Sequence, residues 1–259
     1  GFLVPEGPSI AAARTALATS ATDAAAIALA THLQELAALP PAAEPGPMNA
    51  LKREAIAALA STHRALGLEA LLQRFEDPAA DVRMAAFNGA LQLTNHRRPP
   101  AKGAPNKDFL KEEKRHPRNA HGVLQTIQAA SRAKDAALRC AACRESDVGA
   151  EREYDALLVS LFGDRDVPTR VQAVTSYATR VEKLGASHAP LEQVIAQGNR
   201  ELMLQAAEGL ASKQHPAALR PLLLFTRAGE APEQVRAVLA LGTAGQVRAL
   251  EEIEVLAAG

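Results

Sequence analysis

The 259-residue chain is 47% hydrophobic, but only 3% of its residues are aromatic and it contains no Trp. Ala and Leu favour helix, whereas strands prefer β-branched and aromatic residues, so we expect an all-α protein with almost no sheet. The formal net charge is zero, which excludes a global field that would steer the whole molecule to nucleic acid or to a membrane surface.

Targeting and redox signals favour a soluble cytoplasmic protein without a membrane partner. No apolar run approaches the roughly 18 residues of a membrane span, and the first residues, GFLVPEGPSIAAA, lack the basic flank of a signal peptide. The two cysteines, Cys140 and Cys143, fit a reducing compartment. The chain does not begin with Met and ends on QVRALEEIEVLAAG, the pattern of a new amphipathic helix, so we expect a fragment of a longer protein.

Residues 1–39 form an Ala-rich segment with a helical pattern at Ile27, Leu29, Leu33 and Leu36. A Pro-rich stretch follows at 40–47, and it predicts a linker because Pro is not tolerated in a helix interior. The segment is either a degenerate capping repeat or the tail of a preceding region, and the sequence leaves both open.

Two stretches of the remaining chain repeat one pattern. Residues 76–86 read EDPAADVRMAA and residues 163–173 read GDRDVPTRVQA, so an Asp is followed six residues later by an Arg and then by an Ala. Further copies, some looser, extend this pattern along the chain. We call the position of the Arg in each copy the repeat mark, and the six marks are Lys52, Arg83, Arg139, Arg170, Met203 and Arg236. The intervals are 31, 56, 31, 33 and 33 residues, and the longest is one period plus an insertion of about 25. A period in this range is typical of repeat proteins.

Each period contains two amphipathic helical patterns. In LEALLQRF, Leu68, Leu71, Leu72 and Phe75 follow the i, i+3, i+4, i+7 spacing of one apolar helix face. The turn EDPAAD separates this helix from a second one that begins near Val82. Each period therefore predicts a helical hairpin.

The stretches LEALLQRFEDPAADVRMAAFNGAL and DALLVSLFGDRDVPTRVQAVTSYA resemble HEAT repeats, with an L-x-x-L-L helix, a D-P turn and a V-R-x-x-A second helix. The resemblance implies an armadillo-like α-solenoid, a right-handed superhelix of about six hairpins over residues 48–257, in which the second helices line a concave face. It also implies that the turn Asp and the Arg bond between neighbouring repeats. The predicted repeat-junction residues are Asp77, Arg83, Asp164 and Arg170.

The insertion at 95–121 is the one strong charge asymmetry in the sequence. It has a net charge of +5 and the rest of the chain −5. A loop this long is commonly functional or disordered, so we consider both an anion-binding loop and a solvated insertion. The candidate contacts to an anion or a nucleic acid are Arg97, Arg98, Lys102, Lys107, Lys111, Lys114, Arg115 and Arg118.

Other motifs give no catalytic or metal site. Cys140 and Cys143 form a C-x-x-C within a predicted second helix, without a second pair to complete a zinc site, and we interpret them as small buried residues. The sequence lacks phosphate-loop, dinucleotide-binding and serine-hydrolase motifs. We therefore predict no cofactor, no metal and no enzymatic activity.

Three functions remain as hypotheses. The first is a non-enzymatic interaction scaffold that presents its concave surface to a protein partner. The second is binding of DNA or RNA phosphates through the insertion, which should weaken steeply with salt. The third is a HEAT-like DNA glycosylase, which the absence of Trp and the presence of only two Tyr make less favoured. The sequence leaves the oligomeric state open.

Overall fold

The computed structural model describes residues 22–39, 45–95, 118–147, 149 and 151–244. Within these ranges the chain forms twelve α-helices and three short 3₁₀ helices, and no described residue lies in a strand. The prediction of an all-α protein is confirmed for this part of the chain.

The chain divides into two compact units, residues 1–138 and 139–259. The described helices of unit 1 are α1 (Asp23–Ala38), α2 (Pro45–Ser61), α3 (Leu68–Leu72), α4 (Ala80–Leu93) and α5 (Ala120–Arg132). Helix α6 (Ala136–Glu145) contains the boundary between the units. The described helices of unit 2 are α7 (Glu153–Leu161), α8 (Val167–Leu184), α9 (Ala189–Ala196), α10 (Arg200–Ala211), α11 (Leu219–Ala228) and α12 (Ala231–Ala244).

Unit 1 is built from consecutive helix pairs. Helix α1 packs against α2 and α3 packs against α4, while α2 and α4 also pack against each other. Helix α5, which follows the insertion, contacts α3 and α4. The interfaces bury Leu29, Ile56, Leu71 and Phe87. The second helix of one pair is therefore a neighbour of the second helix of the next.

Unit 2 repeats this arrangement. Its pairs are α7 with α8, α9 with α10 and α11 with α12, and the second helices α8, α10 and α12 pack in succession. One apolar cluster, which includes Tyr177, Leu210 and Phe225, extends through the three pairs. Gly209 lies where α10 crosses α8, and a methyl group added there would overlap Ala178. The close contact of these two helices therefore requires glycine at this position.

Local sequence signals explain several of the helix ends. Thr22, Asn119, Asp166 and Asn199 cap α1, α5, α8 and α10, with side-chain oxygens that accept backbone N–H groups at 3.0–3.2 Å. Helix α8 ends at Gly185, whose φ of 70° is in the left-handed region that favours glycine.

The structure differs from the sequence-based expectations at three boundaries. Helix α2 begins at Pro45, inside the predicted 40–47 linker, because Pro is well tolerated in the first helical turn; residues 40–44 lie outside the described part. LEALLQRF forms α3 followed by a 3₁₀ helix at Gln73–Glu76 rather than one α-helix. Helix α5 includes residues 120 and 121 of the predicted insertion, because Asn119 caps it there.

The apolar pattern of the N-terminal segment is only partly correct. Leu29, Leu33 and Leu36 are buried against neighbouring helices, but the Ile27 side chain is 56% exposed. Ile27 precedes Leu29 by two residues, which corresponds to about 200° around a helix, so the two side chains lie on opposite faces. Residues 1–21 of the predicted segment lie outside the described part.

Candidate functional site

In unit 1, the predicted junction residues bond to the neighbouring helix pairs. The Asp77 carboxylate accepts a hydrogen bond from Lys52 Nζ of the preceding pair at 2.8 Å. The Arg83 guanidinium does not bond that carboxylate. It donates to the backbone oxygens of Asp77 and Pro78 at 2.7 and 2.9 Å, and its Nε donates to Asp135 Oδ2 at 2.6 Å.

Unit 2 contains the same arrangement. Arg139 donates two hydrogen bonds to the Asp164 carboxylate at 2.7 and 2.8 Å, and both side chains are less than 10% exposed. Arg170 donates to the Asp164 backbone oxygen at 2.8 Å and to Glu201 Oε2 at 2.6 Å. In both copies the Arg side chain therefore bonds the backbone oxygen of the Asp six residues earlier. The Asp carboxylate and the Arg guanidinium each form an ion pair with a residue outside the motif.

These contacts lower the pKa of two partly buried carboxyl groups. For Asp164, the hydrogen bonds from Arg139 outweigh the effect of burial and hold the pKa below its ordinary value of 3.8. Burial of Asp135 raises its pKa, but hydrogen bonds from Arg83 and the backbone N–H of Ala137, with the charge of Arg83, produce a net lowering. Both aspartates are therefore held in the charged form by their junctions.

The fifth mark departs from this pattern because it is Met203. Arg200, one helical turn earlier, supplies the cation instead and donates to Glu233 Oε2 at 3.1 Å and to the Ala228 backbone oxygen at 2.9 Å. Met203 is partly buried and packs against the apolar cluster of unit 2. The fifth copy of the pattern therefore has an apolar side chain, Met203, where the preceding repeats have a cation.

Seven of the eight candidate anion contacts lie at 96–117, outside the described residues; Arg118 is described and is exposed. The two ends of the insertion meet, because the Asn119 N–H donates to the Thr94 backbone oxygen at 2.9 Å. The Asn119 side chain also caps α5 through the N–H of Gly122. The insertion therefore leaves unit 1 and returns to it at one point.

Removal of residues 96–117 and their replacement by a short Gly-Ser linker is expected to leave the fold of the described helices intact and to shift the melting temperature by only a few degrees. The helix ends are held by Thr94 and Asn119, and loop length alone has a small entropic effect. Circular dichroism melting of the two proteins checks this. The matched control is Asn119→Ala, which removes the α5 cap and should destabilise by about 1 kcal/mol. If the deletion lowers the stability of the protein more than Asn119→Ala does, the expectation is wrong.

Cys143 agrees with the interpretation of the cysteines as small buried residues, whereas Cys140 agrees only in part. Both are free thiols within α6, and Cys143 is fully buried while Cys140 is partly exposed. Burial raises the pKa of the Cys143 thiol to about 12 and also raises that of Cys140. Neither thiol has the lowered pKa of a reactive cysteine.

Cys143 is therefore expected to resist Ellman's reagent in the folded protein and to react fully in denaturant. Its burial removes access, and its raised pKa removes the thiolate that attacks the reagent. Labelling of Cys140→Ala against Cys143→Ala isolates each thiol. Fast labelling of Cys140→Ala without denaturant would show that α6 exposes Cys143.

A further candidate site, outside the predicted residues, is a groove of about 830 Å³ in unit 2, which we call the α11 groove. Its lining residues come from α9, α10, the 3₁₀ helix Pro216–Ala218 and α11. They are Ile195, Ala196, Met203, Pro216, Ala217, Leu219, Arg220, Pro221, Leu223, Leu224 and Arg227. Nine are apolar, two are Arg, and none is acidic or aromatic.

The sequence contains a spacing pattern that corresponds to this groove, and it overlaps the main apolar pattern of α11. Leu219, Leu222 and Leu223 have the spacing of one apolar helix face, and Leu222 is fully buried. Leu224, however, is 49% exposed and lines the groove. The set Arg220, Leu223, Leu224 and Arg227 has i, i+3, i+4, i+7 spacing, so α11 has a second, partly exposed stripe.

Arg180 is a further important residue without a sequence signal. Its side chain is 2% exposed, and it donates to the Asp155 carboxylate at 2.6 Å and to the backbone oxygens of Ser146 and Glu151 at 2.9 Å. It also donates to the Gly149 backbone oxygen and lies over the Tyr154 ring, 5.5 Å from its centroid. Arg180 therefore joins α8 to the connection that precedes α7.

The described ranges offer neither a metal cluster nor a membrane-spanning helix. They contain no group of three or more His, Cys, Asp or Glu side chains placed to hold a metal ion. None of the helices described has both the length and the apolar character needed to cross a bilayer.

Comparison with known proteins gives no assignment: no protein-family model matches the chain, and no curated protein matches it significantly. The resemblance to HEAT repeats therefore depends on the motifs and on their spacing.

Proposed function

We propose that this chain is a HEAT-like α-solenoid segment that acts as a non-enzymatic scaffold and binds a partner protein. The main support is the junction pattern, in which a cation of one helix pair bonds the turn or second helix of the next. It recurs at Lys52–Asp77 and Arg83–Asp135 in unit 1, and at Arg139–Asp164 and Arg170–Glu201 in unit 2.

This pattern supports a repeat architecture for a physical reason. In a solenoid each repeat packs only on its neighbours, so the same interface contacts must recur at every step. The pairing of α2 with α4, of α8 with α10 and of α10 with α12 supplies the recurring apolar part of that interface. Such an architecture has a large surface for its mass, which suits the binding of extended protein segments.

The charged groups with known partners support a scaffold rather than a catalyst. In unit 2, Arg139 bonds the Asp164 carboxylate, and the buried Arg180 bonds the Asp155 carboxylate and backbone oxygens. Their contacts stabilise helix packing, and none of these side chains faces the α11 groove. Protein binding through exposed helix faces is the function that these observations favour.

Selection of a displayed random-peptide library on the purified chain tests the proposal. A protein-binding scaffold is expected to enrich peptides with a shared pattern of side chains, and the binding of those peptides should persist at high salt. Failure to enrich any pattern, with a known peptide-binding domain as positive control, would overturn the proposal.

Nucleic-acid binding is a second candidate, favoured by the +5 charge of an insertion whose ends are held together at Thr94 and Asn119. Phosphate contacts would make retention on DNA or RNA fall steeply with salt. Replacement of Arg97, Arg98, Lys111, Lys114 and Arg115 by Ser is expected to abolish such retention. Retention that is absent in the parent at low salt, or unchanged in the variant, would exclude this candidate.

A further inference from the structure

We propose that the α11 groove binds a single-chain amphiphile with one carboxylate, of the class of medium-chain fatty acids. The carboxylate pairs with Arg220, and the alkyl chain lies against the apolar lining of the groove. This inference goes beyond the proposed protein-binding function and does not depend on it.

Of the two cations that line the groove, one is available to a ligand. Arg220 lies in the first turn of α11 and is exposed. Within the described part of the chain, no hydrogen bond or ion pair occupies its guanidinium group. Arg227 also lines the groove, but it already has an interaction within the chain, so its charge is not assigned to the ligand. A ligand of this groove therefore meets one cation that has no other partner.

The guanidinium group of Arg220 favours a carboxylate as the head of the ligand. Its planar N–H groups match the two oxygens of a carboxylate, and such charge-assisted hydrogen bonds are about twice as strong as neutral ones. No Asp or Glu is among the lining residues, so no carboxylate of the lining competes with that of the ligand. Charge complementarity therefore favours a ligand with a single negative charge over a neutral or cationic one.

The rest of the lining requires an apolar ligand body. Ile195 of α9, Met203 of α10 and Leu224 of α11 are among the nine apolar residues, and no hydroxyl, amide or imidazole side chain lines the groove. A sugar, a nucleotide or an extended peptide would lose hydrogen bonds to water here without replacement. An alkyl chain has none to lose, and each CH₂ group that leaves water adds to the affinity.

The change of residue at one repeat mark keeps this surface apolar. At the other five marks the side chain is Lys or Arg, whereas the mark that lines the groove is Met203. Arg200 forms the ion pair with Glu233 instead, so the helix pairs keep their junction. A cation at position 203 would place a second charge against the alkyl chain of the ligand.

The dimensions of the groove determine the length of the ligand. Helix α11 has ten residues, and it is therefore about 15 Å long, similar to an extended alkyl chain of about twelve carbons. The groove volume of about 830 Å³ is in the range of small-molecule sites. A helix of a partner protein would bring further polar groups for which the lining has no partner, so the smaller ligand is favoured.

The test titrates the whole chain with dodecanoate, below its micelle concentration, in an isothermal titration calorimeter. Dodecyltrimethylammonium has the same alkyl chain with a positive head, and octanoate has the same head with a shorter chain. Dodecanoate is expected to bind with one-to-one stoichiometry and a dissociation constant on the order of 10 μM. The other two ligands should each bind at least about tenfold more weakly.

Protein variants locate the binding site. Arg220→Gln is expected to weaken dodecanoate at least about fivefold without weakening dodecyltrimethylammonium. Leu224→Glu, at a half-exposed position, should weaken dodecanoate at least about tenfold. The matched control, Lys183→Gln, removes one positive charge at an exposed position outside the groove. It should leave the affinity for dodecanoate within about twofold of that of the parent.

Circular dichroism melting of each variant separates loss of binding from loss of folding. If one groove variant does not fold, the other variant and the comparison of the three ligands on the parent still decide the question. The inference is overturned if dodecanoate does not bind the parent at about 1 mM, or if dodecyltrimethylammonium binds it equally well. It is also overturned if Arg220→Gln and Leu224→Glu bind dodecanoate as tightly as the parent does.

A partner helix is the competing occupant of the groove, and a peptide tests it. If a helical peptide with one Glu and neighbouring Leu residues displaces dodecanoate and binds the parent at least about tenfold more tightly, the groove is a protein-binding site and the inference is overturned. Failure of dodecanoate to bind leaves the peptide-library test of the scaffold function unaffected, so the two proposals fail separately.

Discussion

Arg180→Met is expected to lower the free energy of unfolding by about 3–5 kcal/mol, the largest effect that we expect from a single substitution. Met keeps much of the side-chain volume but removes every hydrogen bond of the guanidinium. The Asp155 carboxylate and the backbone oxygens of Ser146, Gly149 and Glu151 then lose a common donor. Buried acceptors left without partners carry the full cost of desolvation.

Urea unfolding followed by tyrosine fluorescence measures this effect selectively. The chain has two Tyr and no Trp, and both Tyr154 and Tyr177 lie in unit 2. The control is Arg236→Met, because Arg236 makes two hydrogen bonds to Glu208 but is 44% exposed. An exposed pair contributes about 0–1 kcal/mol, so equal effects of the two substitutions would contradict the role assigned to Arg180.

Asp164→Asn is expected to destabilise the protein by about 2–4 kcal/mol at neutral pH. The substitution leaves Arg139 buried without its anionic partner and replaces one of the two oxygens that accept its hydrogen bonds. The control is Asp81→Asn. Asp81 forms an ion pair with Arg53, and the side chains of Arg53 and Asp81 are 46% and 43% exposed. This substitution should lower the free energy of unfolding by less than about 1 kcal/mol.

The difference between the parent and Asp164→Asn should also depend on pH. The pKa of Asp164 is lower in the folded than in the unfolded protein, so its stabilisation is complete above about pH 3.8. It is lost as the pH falls through the lower folded pKa, and the parent should then approach the stability of the variant. Urea unfolding at about pH 7 and about pH 2.5 checks this, and a constant difference between the two would argue against the ion pair.

The sequence was sufficient for the helices because their signals are local. The 3.6-residue apolar period at 157–161 and 219–223, the Asp and Asn caps and Gly185 act within a few residues of one another. The repeat marks recur at intervals of 31–33 residues apart from the one that contains the insertion, and the helices predicted around them pack as pairs in each unit. The start of α2 at Pro45 was not predicted, because the first turn of a helix tolerates residues that its interior does not.

The partners of the junction side chains required the three-dimensional structure. The resemblance to HEAT repeats implied only that the turn Asp and the Arg bond between neighbouring repeats; the structure shows that the carboxylates of Asp77 and Asp164 bond Lys52 and Arg139, which lie 25 residues earlier. A spacing of six residues across a turn brings the Arg side chain to the backbone oxygen of the Asp instead. Which polar atom a long side chain reaches depends on the distance between packed helices, and no local pattern encodes that distance.

The α11 groove and the Arg180 site also depend both on local sequence patterns and on contacts between distant segments. The helical stripe Arg220, Leu223, Leu224 and Arg227 was readable from residue spacing alone, because every member lies on one helix. The exposure of this stripe could not be predicted from the sequence, since the groove is also lined by Ile195 of α9 and Met203 of α10. Likewise, the acceptors of Arg180 lie 25–34 residues away in the chain. Local periodicity specifies helices and faces, whereas burial, pKa and accessible surface arise only when segments distant in the chain pack together.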